Sequence, residues 1–298
     1  MPIKKQRILL VDTSSILHHV KHSGVKSVKA KDKDSYIKFG FLIRLKYFIT
    51  KTKANVCVFA RDGHPNESIR RKLFPSYKIK RSDKTKKTPE QIELDKIAYP
   101  QFTEVEENIL PNIGYVNIFK DPKLEADDII GSICKGYKHC EIIIITTDQD
   151  MYQLLTDTTC IIHAQTEQYF TKAMFIKKYG IEPHMWKRVK AIAGCGTDEV
   201  PGIAGVAEKT ALKYLKGELP VHHKTYEAII SDEGKKIINR NKSLVILPFR
   251  GTPNYQIKED YVSKTRLFSV ATRQKFTPIL KDLDNWYFTL KGWSNWNK

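Results

Sequence analysis

No Cys-x-x-Cys pair occurs in this 298-residue chain, and its five cysteines are odd in number and scattered. Neither a disulfide framework nor a structural zinc site is signalled, so the thiols are expected to be free and mostly buried in a reducing compartment. No apolar run approaches the roughly 20 residues that cross a bilayer. Stretches such as Asn55–Ala60 and Ile142–Ile145 are strand-sized. No apolar leader follows Met1-Pro2-Ile3-Lys4-Lys5, and there is neither a lipidation signal nor a basic amphipathic helix with a clean apolar face. The expectation is a cytoplasmic protein with no membrane partner. Internal repeats and low-complexity linkers are also missing. Acidic residues are outnumbered, 33 against 51 Lys and Arg, for a net charge of +18. Such an excess attracts polyanions over long range, and nucleic acid is the favoured one, although charge alone confers binding and not chemistry. Hydrophobic residues make up 41%, enough to bury the core of one large domain or two intimate ones.

Apolar segments alternate with longer helical patterns through the first part of the chain. Arg7–Val11, Asn55–Ala60, Gly114–Phe119, Glu141–Thr146 and Cys160–His163 read as strands. Several are apolar at consecutive positions, as in strands covered on both faces. Between them Ile37, Phe41, Leu45 and Phe48 repeat at helical spacing, as do Ile97, Phe102, Val105 and Ile109, and Leu124–Tyr137 reads as a third helix. This alternation predicts an α/β fold with a mostly parallel central sheet flanked by helices. Beyond about residue 170 the pattern turns helical, over Thr171–Tyr179, Pro183–Ala193, Glu208–Leu215 and Lys224–Ile230. Ser243–Phe249 reads as an apolar segment that packs back, and the aromatic-rich tail from Trp286 to Lys298 carries no clear conformational signal. The expected division is an α/β part over 1–170 and a helical part over 171–298.

Despite the basic balance, carboxylates gather at strand ends. Asp12 follows the first strand, Asp62 the second, and Asp148 and Asp150 the fourth, while Glu125, Asp127 and Asp128 open the helix after the third. In a doubly wound sheet the carboxyl ends of the strands share one edge, where ligands bind. Each residue taken alone is more often a turn or helix cap; the coincidence of four strand-end clusters is the specific signal. Unshielded carboxylates a few ångströms apart repel strongly, and divalent cations resolve the conflict. Oxygen ligands without a His or Cys cluster select Mg²⁺ or Mn²⁺ over Zn²⁺. Two such ions about 4 Å apart stabilise both the attacking and the leaving oxygen of a phosphodiester. His18, His19 and His22 follow Asp12 without acidic company of their own and are not expected to ligate metal.

LLVDTSS (9–15), FARDG (59–63), LEADDII (124–130) and TTDQDMYQLL (146–155) resemble the successive acidic motifs of the flap endonuclease and 5′-3′ exonuclease family. That family includes phage 5′ nucleases, phage ribonuclease H and the 5′ nuclease domain of bacterial DNA polymerase I. AIAGCGTDEVPGIAGVAEKTALKYL (191–215) is similar to the family's glycine-rich segment leading into a helix–three-turn–helix. The resemblance runs over roughly residues 7–250. It implies a PIN-like nuclease core, a helix–three-turn–helix at about 185–216, and a bacterial or phage-infected host cytoplasm. It further implies metal-binding roles for Asp12, Asp62, Glu125, Asp127, Asp128, Asp148, Asp150 and Asp198, with two Mg²⁺ or Mn²⁺ ions and no covalent intermediate. One departure stands out: Cys195 occupies the position where the family pattern has an aspartate, and a neutral thiol is a poor ligand for a hard ion. Gly205-Val206-Ala207 also replaces the family's Gly-x-Gly. Gly202 and Gly205 should still bring backbone close to a phosphate or a K⁺ ion, with Lys209 near the phosphates.

Residues 70–87 contain nine Lys or Arg and a single acid, Asp83. Cations neutralise phosphates and the rings of Phe74 and Tyr77 suit stacking on bases, which together fit a single strand. In the family this place, about 66–100 here, is a basic arch over the 5′ strand. The resemblance implies that Lys78 and Arg81 act at the scissile phosphate and that Arg70, Arg71, Tyr77 and Lys80 bind the neighbouring nucleic acid. The implied substrate is DNA with a 5′ flap, nick or free 5′ end, or an RNA–DNA hybrid, cut beside replication proteins; a monomer is the default expectation, which the sequence neither supports nor opposes. Two rivals remain: a PIN-like RNA-processing nuclease, and a non-catalytic junction-binding protein whose second metal site is weakened at Cys195.

Overall fold

The computed structural model describes residues 6–24, 34–82 and 87–292. Six strands form one sheet: β1 (Arg7–Asp12), β2 (Val56–Arg61), β3 (Ile118–Lys120), β4 (Glu141–Thr146), β5 (Thr159–His163) and β6 (Tyr169–Phe170). Their spatial order is β3-β2-β1-β4-β5-β6. All neighbours are parallel except β6, which returns antiparallel to β5. The order reverses between β1 and β4, and the crevice beyond the carboxyl ends of those strands is the topological switch point. Asp12 ends β1, and Asp148 follows β4 by two residues.

Period-two alternation sends each strand's side chains to two separate cores. Leu9, Val11, Cys57, Phe59, Ile143 and Ile145 face one; Ile8, Leu10, Val56, Val58, Ile142 and Ile144 face the other. On the first face lie α1 (Thr13–Gly24) and α2 (Tyr36–Thr52), and, after the short α3 (Ile69–Leu73), α4 (Pro89–Glu104) and α5 (Leu110–Ile113). α2 contributes Phe41, Leu45 and Phe48, all fully buried, at the spacing the sequence predicts. Truncating one such Phe to Ala costs about 3–5 kcal/mol in transfer and cavity terms. α4 starts at a Thr88/Gln91 capping box with Pro89 in its first turn. It runs on into a π-helical turn over Val105–Ile109.

The second face carries α6 (Ala126–Gly136), α7 (Lys172–Tyr179), α8 (Trp186–Ala193), α9 (Glu208–Leu215), α10 (Lys224–Ile230) and α11 (Asp232–Val245). A small ribbon of β7 (Gly194–Cys195) and β8 (Val200–Pro201) joins α8 to α9. The chain then crosses back. α12 (Lys264–Arg273), α13 (Thr277–Lys281) and α14 (Leu283–Leu290) pack on the first core through Leu267, Val270, Ile279, Trp286 and Leu290. Residues on both sides of position 170 therefore contribute to both cores. Trp286, unassigned from sequence, is an anchor of α14, and residues 293–298 lie outside the described residues. Two further expectations shift. The third strand is only Ile118–Lys120, because the Gly114 and Val116 backbones bond instead to the returning segment at Tyr261 and Asp260, where the Asn117 side chain also holds the Lys258 carbonyl. Ser243–Val245, read only as part of an apolar segment that packs back, is the end of α11, and Leu244, Val245 and Phe249 are buried.

Candidate active site

Asp12 is carried to the switch point by β1, and α1 begins at the next residue. Its Oδ1 accepts from the Ser15 amide at 3.1 Å, and its Oδ2 accepts from Ser15 Oγ at 2.5 Å and Thr146 Oγ1 at 2.9 Å. Burial, with the charge of Asp62 adding to it, pushes the Asp12 carboxyl up to about 6. Asp62, one residue beyond β2, is exposed and is held by Ser14 Oγ at 2.8 Å and the Ala126 amide at 3.0 Å. Asp148 caps the single 3-10 turn after β4, its Oδ1 accepting from the Asp150 amide at 2.7 Å. Asp127, in the first turn of α6, is raised well above the ordinary range by burial and by Asp148, against an opposing pull from Lys78.

Asp12, Asp62, Asp127, Asp148 and Lys78 line one cleft of about 320 Å³. His18, His19 and His22 of α1 line it too, with the His18 ring edge-on to Phe102 at 5.1 Å. The Asp12 and Asp127 carboxyls are raised first by burial and then by the neighbouring acids Asp62 and Asp148, and a bound cation relieves that repulsion. The four carboxylates of this cleft offer only oxygen, and they fit a hard divalent ion.

Lys78 stands at the rim. Its backbone is left-handed, with φ of 51°, and its amide donates to the Asp198 carbonyl at 3.0 Å. Its ammonium meets Glu125 Oε1 at 2.6 Å and Asp198 Oδ1 at 3.7 Å. Burial alone would raise Glu125, but the charges of Lys78 and Arg70 and the bonds from Lys78 and Tyr77 leave it lowered. Arg71 braces this turn by donating to the carbonyls of Tyr77 at 3.2 Å and Lys78 at 3.1 Å.

A second acidic group lies beside the cleft. Asp150, Cys195 and Asp198 place one ligand atom each within 4.8 Å of one another. Cys195 Sγ sits 3.1 Å from Thr197 Oγ1 and 3.8 Å from Asp150 Oδ2. Burial first, and then the charges of Asp150 and Asp198, push its thiol up to about 11. Asp150 is pushed up to about 6 by burial and by Asp148, in spite of Lys190, whose ammonium lies 3.1 Å away.

Residues 7–180 match the sequence profile of the 5′-3′ exonuclease N-terminal, resolvase-like domain. The chain belongs to that 5′-3′ exonuclease family. The thermostable DNA polymerase I of Thermus thermophilus is 29% identical over 221 residues, covering 71% of this chain and 24% of that protein. The chain thus spans about a quarter of the polymerase relative's length. A 5′-3′ exonuclease of Buchnera aphidicola is 28% identical over 99% of this chain and 94% of its own. Among solved structures, the bacteriophage T5 flap endonuclease, in a complex with DNA and metal ions, superposes with a TM-score of 0.68 at 19% identity. That likeness covers 94% of this chain and 99% of the phage protein.

Within the exonuclease fold, not every acid or cation of the motifs reaches the cleft. Asp128 is fully buried, and its carboxylate is taken up by Arg70 at 2.5 and 2.7 Å and by the Phe249 amide at 2.7 Å. Arg70, read from sequence as a phosphate ligand, is 1% exposed and also donates to the Leu244 and Ile246 carbonyls. Both residues are interior. Adjacent positions on a helix point about 100° apart, and here Asp127 lines the cleft while Asp128 turns to Arg70. Tyr77, read as a stacking ring, is buried among Ala191, Cys195, Val200, Leu244 and Val245. Its hydroxyl donates to Glu125 Oε2 at 2.7 Å. Arg61 is committed to Glu106 and Glu107, both at 2.9 Å. Lys80 is exposed, its amide bonded to Glu199 at 3.2 Å. The Arg81 side chain lies outside the described residues.

In the turn between α8 and α9, Gly205 is exposed with φ of 76°, and Lys209 is exposed on α9. Gly202 serves a different end, because a Cβ there would fall 2.1 Å from the Ala193 carbonyl. Sequence reasoning did not anticipate Lys190. Its signal was faint: a cation on an amphipathic helix, five residues before Cys195.

Proposed function

We propose that this chain is a structure-specific 5′ nuclease that hydrolyses phosphodiesters of DNA near a single-strand/duplex junction, with Mg²⁺ or Mn²⁺. The observation that carries the reading is the meeting of Asp12, Asp62, Asp127 and Asp148 with Lys78 in one cleft at the sheet's switch point. Those four carboxylates would hold divalent ions, and Glu125, Asp150 and Asp198 stand next to them. When bound, such ions supply an activated water and stabilise the leaving oxygen. The chain's own residues supply the rest. Lys78 offers a positive charge at the cleft wall, where a phosphate would accumulate charge in the transition state. Glu125 and the turn braced by Arg71 fix where that ammonium points. Lys80 and Lys209 remain exposed for phosphate contacts, and the turn at Gly205 is a place for a phosphate or a K⁺ ion. Arg81 is assigned to the same task on its sequence position. Arg70 and Tyr77 are assigned instead to holding the cleft wall, and Asp128 to pairing Arg70.

Two features together support the proposed substrate class. The net charge of +18 suits a polyanion, and the exposed glycine turn between two helices, with Lys209 beside it, is assigned to gripping duplex. DNA with a 5′ flap, nick or free end is the proposed substrate, an RNA primer strand in a hybrid is a proposed variant, and replication proteins are the proposed partners. Among the described residues no helix is long and apolar enough to cross a membrane. A substrate panel tests the reading: 5′-labelled DNA flap, nicked duplex, RNA–DNA hybrid and single-stranded RNA, each with Mg²⁺, Mn²⁺ or chelator. Junction-dependent, metal-dependent cutting is expected. Preference for single-stranded RNA regardless of a junction would instead support an RNA-processing nuclease.

A further inference from the structure

The donors of the second acidic group do not suit the ion that suits the first. Asp150, Cys195 and Asp198 come from two chain segments, and their ligand atoms lie within 4.8 Å of one another. Two are carboxylate oxygens and one is sulfur. Mg²⁺ asks for near-octahedral oxygen at about 2.1 Å and does not take sulfur. Zn²⁺ and its softer relatives take thiolate at about 2.3 Å and carboxylate at about 2.0–2.2 Å in tetrahedral sites, with water filling a fourth position. Ligands on such a sphere are spaced about 3.3–3.7 Å apart, so the trio closes by small side-chain rotations.

The charges point the same way. Lys190 is 8% exposed and reaches Asp150 at 3.1 Å and Glu208 at 2.8 Å. Two carboxylates beside one ammonium leave a net negative charge. With Asp198 the three carboxylates exceed the one ammonium by two charges, and a divalent ion that also converts the thiol to thiolate, releasing its proton to solvent, halves that excess with Lys190 in place.

We propose that Asp150, Cys195 and Asp198 form a thiolate–carboxylate site selective for a thiophilic divalent cation, Zn²⁺ or its analogues Co²⁺ and Cd²⁺, over Mg²⁺. The proposal rests on the nuclease reading only for where a second ion would sit, so its test reads binding and not cleavage. Purified, reduced protein is titrated with Cd²⁺ and Co²⁺ in a large excess of Mg²⁺, and the sulfur-to-metal charge-transfer absorption is followed. The native chain is expected to give one equivalent of that band. Cys195→Ser, a near-isosteric change, is expected to lose the band and weaken Cd²⁺ binding by at least about tenfold, the scale on which even residues behind the ligands act. Asp150→Asn is expected to keep the band but require more Cd²⁺. No band in the native chain, a band that persists in Cys195→Ser, or a band that Mg²⁺ abolishes would each overturn the proposal. Loss of cleavage with the band intact would count against the nuclease reading alone.

Discussion

Arg70→Met gives the sharpest contrast between what the arginine-rich segment suggests and what the packing imposes. The guanidinium is 1% exposed, and its bidentate partner Asp128 is 0% exposed. Removing the cation leaves a fully buried carboxylate with only the amides of Phe249 at 2.7 Å and Glu125 at 3.3 Å, and strands the Leu244 and Ile246 carbonyls. Breaking a buried pair from one side costs about 3–5 kcal/mol, a large part of the roughly 5–15 kcal/mol that holds a typical domain. At about 2–4 °C per kcal/mol for a chain of this size class, the melting temperature should fall by about 6–20 °C. Urea unfolding should show a lower midpoint with an unchanged slope. The double variant Arg70→Met/Asp128→Leu should recover part of the loss, since no lone charge remains. If Arg70 were a phosphate ligand, the outcome would invert. Stability would be unchanged, while flap binding would weaken and its salt dependence would drop by about one counterion. That result would refute the assignment.

Lys78→Ala should lower single-turnover cleavage by about 10²–10³-fold, as removal of one electrostatic stabiliser does, with little change in flap affinity; an unaltered rate would contradict its placement. Gly202→Ala should lose more thermal stability and duplex affinity than Gly205→Ala. The first drives a Cβ to 2.1 Å from a carbonyl, whereas the second meets nothing within 4 Å and suffers only from its φ of 76°. Equal effects would contradict this reading of the turn. Asp260 lies at the edge of the first core and is pushed up to about 6 by burial, against the bonds from Val116 and Asn117. A raised folded-state value means its contribution is present below the ordinary 3.8 and is lost as pH rises through about 6. Asp260→Asn should therefore gain on the native chain by roughly 1–3 kcal/mol between about pH 4 and pH 7, seen as converging or crossing melting curves in chelator. A pH-independent difference would exclude it.

Much of this arrangement could be read from the chain because strand ends are marked by composition. Consecutive apolar residues followed by Asp12, Asp62 and Asp148 locate the carboxyl edge of a parallel sheet without any coordinates. The misreadings share one cause. A run of cations looks solvent-facing, yet Arg70 has a buried acid 58 residues away, which no local pattern discloses. Tyr77 carries the same ambiguity, since an aromatic beside lysines serves a stacking surface and a small core equally well. Asp128 was separable in principle, because an i, i+1 pair on a helix diverges. The missed α11 also had its signal: Ser231 accepts from the Gly234 amide at 3.0 Å, ahead of Asp232 and Glu233 in the first turn. The shortened third strand had none, because its competitor, the segment at Lys258–Tyr261, lies about 140 residues away.

The central claim is that the carboxylates of the switch-point cleft hold the ions that cut DNA. Its most direct measurement is cleavage of a 5′-labelled flap by the native chain and by Asp148→Asn, with Mn²⁺ or Mg²⁺ and with chelator, beside flap binding by each. The account predicts cutting near the junction that needs the metal and is lost in the variant, with flap binding retained. Tight binding by the native chain without cutting in either metal, or cutting that survives both chelator and Asp148→Asn, would contradict it.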